Sequence, residues 1–212
     1  MTASSHRALP DGRLAAGAAR LAMRHRGRYS VETVQRLIAD SYEQPAAHAH
    51  VRTHLVVLAE RFAAERLDAP AHAENPAEPG GRPRVLFVCS HNAGRSQMAA
   101  ALLAHRAGDA VIASSAGTHP SGTVDPHVVQ ALTEAGIALD EVYPKPLSDE
   151  IVQAADIVIT MGCGDACPVV PGHRYLDWPV PDPEGAPIAV VRSIRDALDA
   201  RITELLDTLP GN

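Results

Sequence analysis

A short apolar run constrains the fold of this chain most strongly, because it ends on a cysteine and leads into a helix. The run Val85-Leu-Phe-Val88 is followed by Cys89, a five-residue polar loop, Arg95 and a helix-forming segment at 96–106. A continuous apolar run of this length is typical of a strand buried on both faces, as parallel strands are. Downstream segments continue the alternation, with predicted strands at 110–115, 156–160 and 174–176, the last at an edge, and predicted helices at 126–135, 148–154 and 188–209. The sequence therefore predicts an α/β domain with a parallel four-stranded sheet, helices on both faces and a site at the carboxyl ends of the strands.

A segment rich in proline and glycine divides the chain. Residues 69–83 contain four prolines and two glycines without apolar periodicity, which predicts an extended linker. Before it, apolar residues recur at helical spacing in three segments, 13–25, 31–42 and 45–67. Gly27 would end the first helix and Ser30 would cap the second. We predict an N-terminal three-helix domain at 1–68, the linker at 69–83 and an α/β catalytic domain at 84–212. A bundle this short would gain stability by packing on the second domain or on another copy, so a homodimer through these helices is one expectation.

Composition points to a protein of a reducing compartment. The chain has three cysteines, an odd number that does not make a secreted disulfide framework. It has no run of 18 apolar residues and no apolar signal core at its N-terminus, so we expect a cytoplasmic protein with no membrane partner. Seven arginines stand in the first 36 residues against Asp11 and Glu32. This bias favours either a nucleic-acid contact or a solvated helix face, and we expect the second, because no convincing recognition helix is present.

The loop between the first strand and the following helix has the composition of an anion-binding cradle. It would direct backbone N–H groups and the positive end of the helix dipole at one point. Gly94 allows tight curvature, and the guanidinium of Arg95 can hold two oxygens of a tetrahedral oxyanion at once. The same positive field favours the thiolate of Cys89, the form that attacks; the alternative is an inert buried cysteine. The predicted oxyanion-binding residues are Ser90, His91, Asn92, Ala93, Gly94, Arg95 and Ser96.

The other two cysteines, Cys163 and Cys167, are separated by three residues in a loop after the predicted strand 156–160. Three interpretations compete. A zinc site would need His173 or Cys89 as further ligands, and the CxxC spacing is absent. Two unrelated structural thiols are the second interpretation. We favour the third, a redox pair without a metal, because a thiolate at an oxyanion site needs another thiol to remove whatever becomes bonded to it.

Asp182 lies in a proline-stiffened loop, Trp178-Pro-Val-Pro-Asp-Pro. A carboxylate there would hang over the anion cradle and protonate a departing oxygen as a general acid. An aspartate before a proline is equally typical of a plain turn. The local sequence leaves both interpretations open.

Four motifs taken together resemble one family. They are the segment 85–99 around Cys89, Ser114-Ser-Ala-Gly-Thr118, Met161-Gly-Cys-Gly-Asp-Ala-Cys-Pro168 and Trp178-Pro-Val-Pro-Asp-Pro183. This combination resembles the thioredoxin-coupled, three-cysteine arsenate reductases, which are built on the low-molecular-weight protein tyrosine phosphatase fold. The resemblance runs from about residue 84 to the C-terminus, and the N-terminal helices are similar to an extra helical domain found ahead of some bacterial members.

The resemblance implies arsenic detoxification by a relay of three thiols. The Cys89 thiolate would attack arsenate held by backbone N–H groups and Arg95, while Ser96 donates to the thiolate and Asp182 assists loss of an oxygen as water. Cys163 would then attack Cys89 and release arsenite. Cys167 would attack Cys163, which leaves a disulfide that thioredoxin reduces. No cofactor is bound in this scheme, and NADPH enters only through thioredoxin reductase.

The sequence departs from the family pattern at two places. Ala100 stands where many members have a glutamate, so a potassium ion beside Asn92, which the resemblance also implies, has one ligand fewer here. The spacing between Cys163 and Cys167 is shorter than in the best-known members, which would suit a smaller unwinding or a different redoxin.

The alternative function is a low-molecular-weight protein tyrosine phosphatase, which needs Cys89, Arg95 and Asp182 alone. The third is a regulator that responds to arsenate or redox state.

Overall fold

The computed structural model describes residues 12–46, 55–74, 81–139, 142–163 and 169–209. The chain divides into two compact units, Met1–Asp68 and Ala69–Asn212. The described residues form helices α1 Gly12–Arg24, α2 Val31–Ala46, α3 Leu55–Glu74, α4 Arg95–Ala107, α5 Pro126–Glu134, α6 Asp149–Gln153 and α7 Ile188–Leu206, and strands β1 Arg84–Cys89, β2 Ile112–Gly117, β3 Ile157–Met161 and β4 Arg174–Asp177.

The first unit is built from helices, as predicted. Its buried core lies between α1, α2 and α3 and comprises Leu14, Ala18, Leu21, Val34, Ile38, Val56, Ala59, Ala63 and Leu67. The turn after α1 contains Gly27 at φ +86°, a conformation that glycine adopts without strain. The hydroxyl oxygen of Ser30 accepts a hydrogen bond from the backbone N–H of Thr33 at 3.1 Å, which is the predicted cap of α2. On the basic face, Arg20 of α1 pairs with Glu60 of α3 at 2.6 Å.

The third helix differs from its predicted bounds at both ends. We expected it to begin at Pro45, but α2 continues past Pro45 to Ala46, and the described part of α3 begins at Leu55. It then runs through Pro70 to Glu74, so the first part of the predicted linker is helical. The reason is that alanine, the strongest helix former, occupies alternate positions around Pro70 and offsets the single backbone donor that proline lacks.

The second unit contains the predicted four-stranded parallel sheet. The strand order is β2-β1-β3-β4, with every pair parallel and β4 at an edge. The central strand β1 places Cys89 opposite Gly117 of β2 on one side and opposite Met161 of β3 on the other. Strand β2 starts two residues later than expected, because Gly108–Ala110 form a short 3-10 helix. Residues 85–89 are all 1% exposed or less, so both faces of the central strand are covered, as the apolar run predicted.

Helix α7 packs in the hydrophobic core of the second unit, together with residues of β1, β3, α4 and α5. The predicted apolar face is buried, although the helix ends at Leu206 and the buried Leu209 follows in a turn. Helix α5 begins as expected, since Asp125 accepts a hydrogen bond from the N–H of His127 at 2.7 Å. Helix α6 is shorter than the predicted segment 148–154, and the Ser148 side chain before it accepts no capping hydrogen bond. None of the helices that the structure describes is long and apolar enough to cross a membrane.

Two ion pairs join α7 to its neighbours. Arg106 of α4 donates to Asp199 at 2.6 Å, and Arg192 donates to Glu134 of α5 at 2.7 Å. The hydrogen bond from Arg192, supported by Gln130, lowers the pKa of Glu134 to about 2. The hydrogen bond from Arg106 lowers the pKa of Asp199 below its usual value of 3.8. A carboxyl group with a lowered pKa stabilises the fold above its unfolded pKa, and this contribution is lost as the pH falls through the folded pKa.

We predict that Asp199→Asn reduces the free energy of unfolding at pH 7 by roughly 0.5–1 kcal/mol, the usual range for a partly exposed pair. The difference from the wild type should shrink as the pH falls below the ordinary pKa of 3.8 and through the lower pKa of Asp199 in the folded protein. Urea denaturation at several pH values measures both effects. Glu204→Gln, an exposed site on the same helix, is the control, and an equal loss in both variants at every pH would contradict the assignment to this ion pair.

Candidate active site

The cysteine loop, residues 90–94 between β1 and α4, closes around the thiol of Cys89. The thiol sulfur accepts a hydrogen bond from the backbone N–H of Asn92 at 3.3 Å, and the hydroxyl oxygen of Ser96 lies 3.0 Å from it. The side-chain amide of Asn92 donates to that same hydroxyl oxygen at 2.8 Å, which leaves the Ser96 proton directed at the sulfur. Cys89 is only 1% exposed and lies at the N-terminus of α4, so the two donors and the positive end of the helix dipole converge on its sulfur.

The carbonyl groups of the cysteine loop point away from the site. The segment 118–125 donates to them through the N–H groups of Thr118, His119, Ser121 and Asp125, which bond the carbonyls of Cys89, Ser90, His91 and Ala93 at 2.8 to 3.2 Å. Because the carbonyl of one residue and the N–H of the next are antiparallel in a trans peptide, outward carbonyls leave inward N–H groups. The loop therefore presents a row of donors on the side of the thiol, as an oxyanion requires.

The side chain of Asn92 has a structural role that the sequence did not indicate. Asn92 is fully buried at φ +49°, a left-handed conformation that asparagine tolerates. Its side-chain oxygen accepts from the backbone N–H of Lys145 at 2.9 Å and from the amide of Gln97 at 3.1 Å. Gln97 also donates to the carbonyl of Tyr143 at 2.9 Å. Asn92 thus ties the loop to α4 and to the segment before α6, and it reaches an anion only through its backbone.

A potassium ion beside the loop does not fit this arrangement. The oxygen of Asn92 already accepts two N–H donors, which occupy both of its lone pairs. Ala100, at the position of the family's glutamate, offers no side-chain oxygen.

Arg95 and Asp182 meet over the thiol. The guanidinium Nη2 of Arg95 donates to a carboxylate oxygen of Asp182. The Arg95 side chain is 8% exposed, yet its buried Nε has no hydrogen-bond acceptor, a donor left for a ligand. Gly162 makes room for the guanidinium, since a Cβ there would lie 2.5 Å from Nη1, and its φ of +69° also favours glycine. Asp182 accepts from the N–H of Glu184 at 3.2 Å as well, so it is at once a turn residue and a site residue.

These groups line a cleft of about 240 Å³. Of the predicted residues, the cleft is lined by Cys89, His91, Ala93, Gly94, Arg95 and Asp182. Ser90 instead donates its hydroxyl to the carbonyl of Gly162 at 3.2 Å, and Ser96 lies beneath the thiol. Ser121, Thr123, Asp125, Pro126, Pro183 and Glu184 complete the lining and were missed from sequence, because only the fold brings them to the loop.

Cys163 lies close to this site along the neighbouring strand. It follows Met161, the cross-strand partner of Cys89, by two residues, and it is 9% exposed. Cys89 and Cys163 are both thiols. Cys167 lies outside the described residues. The zinc interpretation loses His173, whose Nδ1 contacts the carbonyl of Ala155 at the opposite, amino end of β3.

Two family models match this sequence. Residues 84–212 match the low molecular weight phosphotyrosine protein phosphatase family, and residues 14–71 match the protein-tyrosine-phosphatase-like N-terminal domain. The chain therefore belongs to the low molecular weight phosphotyrosine protein phosphatase family, which confirms the family and fold predicted from the four motifs.

Individual relatives of this chain include arsenate reductases and an arginine phosphatase. The solved thioredoxin-dependent arsenate reductase Cg_ArsC1' of Corynebacterium glutamicum is 44% identical with a TM-score of 0.81, over 92% of this chain and 95% of that one. Arsenate reductase 1 of Bacillus cereus is 34% identical over 58% of this chain and 94% of its own length. An arginine phosphatase structure from Geobacillus stearothermophilus is 28% identical with a TM-score of 0.50, over 61% of this chain and 99% of that one.

We predict that Asn92→Ala lowers the free energy of unfolding by about 2–4 kcal/mol, because it leaves buried donors unpaired and places alanine at positive φ. Asn92→Gly should cost about 1 kcal/mol less, since glycine adopts this conformation freely. Urea denaturation of the two variants separates the lost hydrogen bonds from the backbone strain. A loss below about 1 kcal/mol in both would show that Asn92 does not hold the loop.

Proposed function

We propose that this protein is an arsenate reductase, which converts arsenate to arsenite through a thiol-disulfide relay from Cys89 to Cys163 to Cys167. One observation carries the proposal: a thiol in an oxyanion cradle lies at the end of β1, and a second thiol follows the end of the adjacent strand β3. A phosphatase has no use for the second thiol. The arsenate reductases among its relatives support the same chemistry.

Binding of arsenate begins with an exchange at Arg95. The carboxylate of Asp182 holds the guanidinium edge that an oxyanion needs, so the substrate takes its place. The unpaired Nε and the released Nη2 of Arg95 then form a fork for two arsenate oxygens, and the inward N–H groups of the cysteine loop bind the others. Asp182, freed from its cation, is left close to the oxygen that departs.

The first step forms a bond between sulfur and arsenic. The thiolate of Cys89 attacks arsenic(V), and one oxygen leaves as water with protons that Asp182 and the solvent supply. The hydroxyl of Ser96 and the N–H of Asn92 stabilise the sulfur before the attack. Arsenic remains in oxidation state five at this stage.

The second step reduces arsenic. The thiolate of Cys163 attacks the sulfur of Cys89, the electron pair of the sulfur–arsenic bond stays with arsenic, and arsenite leaves as Cys89 and Cys163 form a disulfide. Cys163 is buried, so its segment must move toward Cys89, and Gly162 at φ +69° is a pivot for that motion. Cys167 then attacks Cys163, restores the Cys89 thiolate and leaves a Cys163–Cys167 disulfide.

Thioredoxin closes the cycle by reducing the final disulfide, as the name of the Corynebacterium relative supports. A thioredoxin-coupled cycle needs a reducing compartment, so we place the protein in the cytoplasm. A homodimer through the N-terminal helices stays a prediction from sequence.

The alternative function is a phosphatase that uses the same cradle. None of the described residues that line the cleft is phenylalanine, tyrosine or tryptophan, so this part of the chain provides no aromatic wall for a phenyl ring. Three carboxylates, those of Asp125, Asp182 and Glu184, stand at the cleft instead. If phosphoryl transfer is catalysed, this lining favours a cationic phosphorylated group, in line with the arginine phosphatase among the relatives.

We predict different fates for the two relay variants. With thioredoxin, thioredoxin reductase and NADPH present, Cys163→Ser and Cys167→Ser should each lower arsenate-dependent NADPH oxidation at least about 100-fold. In a single turnover without thioredoxin, Cys167→Ser should release arsenite once per chain and accumulate a Cys89–Cys163 disulfide, whereas Cys163→Ser should release none. Mass spectrometry and arsenite quantification check both.

The matched control for the relay variants is p-nitrophenyl phosphate hydrolysis, which requires the cradle but neither distal thiol. Normal arsenate turnover in both variants would refute the relay. Phosphatase activity that is efficient in all three proteins, with no arsenite from the wild type, would establish the alternative.

We predict that Arg95→Lys raises the KM for arsenate by about 10–100-fold, because lysine keeps the charge but loses the planar fork of donors. Steady-state kinetics with the coupled assay measures it. Arg106→Lys, on the far end of α4, is the control and should leave KM unchanged. An Arg95→Lys enzyme with wild-type KM would exclude two-point binding by this guanidinium.

A further inference from the structure

Three successive residues of the acid loop, residues 182–185, contact the cysteine loop or the first residue of α4. Asp182 pairs with Arg95. Pro183 packs on Gly94 so closely that a Cβ on the glycine would lie 2.5 Å from the proline ring. A carboxylate oxygen of Glu184 lies 3.3 Å from Nδ1 of His91.

Only the first of these contacts is lost when an oxyanion binds. Arg95 must turn its donors to the substrate, so it no longer holds Asp182. The contact between Glu184 and His91 uses no group of the cradle, since the loop binds an anion through backbone N–H groups and Arg95. Once Arg95 has turned from Asp182 to the anion, the contact between Glu184 and His91 is the polar side-chain contact that remains between the acid loop and the cysteine loop.

We propose that Glu184, acting through His91, is a positioning residue that keeps Asp182 over the cleft during the reaction. This inference rests on the proposed function, because it concerns the oxygen that leaves arsenic. Glu184 stands at the rim of the cleft and holds none of the anion's oxygens in the binding mode proposed above. It fixes the place from which Asp182 delivers a proton.

The backbone between the two carboxylates is rigid enough to transmit this restraint. The N–H of Glu184 donates to Asp182 at 3.2 Å, and the N–H of Ala186 donates to the carbonyl of Pro183 at 3.0 Å. Gly185 completes the turn at φ +68°. On the other side, the carbonyl of His91 accepts the N–H of Ser121 at 2.9 Å, which anchors the histidine to the outer wall of the site. Fixing the side chain of Glu184 therefore fixes the direction of Asp182.

A purely electrostatic role of Glu184 predicts something different. Its side chain is 72% exposed, so its negative charge acts on an incoming oxyanion through water and changes binding slightly. Removal of a repelling charge would lower KM and leave kcat alone. Loss of a tether lowers kcat, because the proton donor is in place for a smaller fraction of encounters.

The test compares Glu184→Ala and Glu184→Gln, each in the wild-type and in the Asp182→Asn background of the full chain. The coupled arsenate assay with thioredoxin gives kcat and KM. Glu184→Ala should lower kcat by about 5–20-fold with KM within about twofold of the wild type. Glu184→Gln should restore most of kcat, because its amide keeps the length of the side chain and an acceptor oxygen opposite Nδ1 of His91. In the Asp182→Asn background, Glu184→Ala should cause no further loss, since a residue that acts through Asp182 has nothing left to position. Glu204→Ala is the control for removal of an exposed carboxylate, and thermal midpoints verify the fold.

An equal loss of kcat in both backgrounds would overturn the proposal, and so would a change confined to KM. Failure of the proposed function has a different signature, namely a wild type that produces no arsenite. In that case aryl phosphates test the positioning role alone. Glu184→Ala should then slow hydrolysis of phenyl phosphate, whose leaving oxygen needs a proton, and leave that of 2,4-dinitrophenyl phosphate unchanged. Loss on both esters, or a wild type without either activity, would overturn the positioning role.

Discussion

The hydrogen bonds from segment 118–125 to the carbonyls of the cysteine loop set the polarity of the whole active site. These bonds hold the carbonyls of Ser90, His91 and Ala93 outward, so the N–H groups of the residues that follow them face inward. The contact is made possible by Gly117 at the end of β2, since a Cβ there would lie 2.8 Å from the carbonyl oxygen of Ser90. Asn92 also fixes the cysteine loop, because its buried side-chain amide forms hydrogen bonds to α4 and to the backbone of Lys145. The cradle is therefore held from outside by two walls, and the thiol, Arg95 and the helix dipole all work within that frame.

The parts of this structure that sequence predicted well are those decided by neighbours in the chain. The apolar run of β1, Cys89 at its end and Arg95 at the start of α4 follow one another, so their geometry is local. The parallel sheet followed from the alternation of strands and helices, and the predicted edge position of 174–176 agrees with β4 at the end of the strand order. The boundary errors have local causes as well: Pro70 sits in an alanine-rich stretch that stays helical, and Gly108–Ala110 turn before β2 begins.

What sequence did not reveal depends on contacts between distant segments. The second role of Asn92 requires the backbone of Lys145, which lies 53 positions away. The contact of His91 with Glu184 joins two loops whose meeting depends on the parallel sheet. A partial signal existed in Ser114-Ser-Ala-Gly-Thr118, where a glycine just after the predicted strand 110–115 is typical of a close backbone approach. The zinc interpretation lost His173 as a ligand for a topological reason, because His173 directly precedes β4 whereas Cys163 follows the end of β3.

The pairing of Arg95 with Asp182 places a carboxylate of the protein itself on the guanidinium that binds the oxyanion. Occupation of the cleft is then a substitution of one anion for another, so the intrinsic affinity for an oxyanion is diminished by the work of displacing the carboxylate. A monovalent anion with a single contact gains little from such an exchange, whereas a tetrahedral oxyanion that engages the fork and several N–H groups together gains enough to complete it. The carboxylate of Asp182 thus competes with every anion for the guanidinium of Arg95. The number of contacts that an anion makes at once, more than its charge alone, decides whether it displaces this carboxylate and binds.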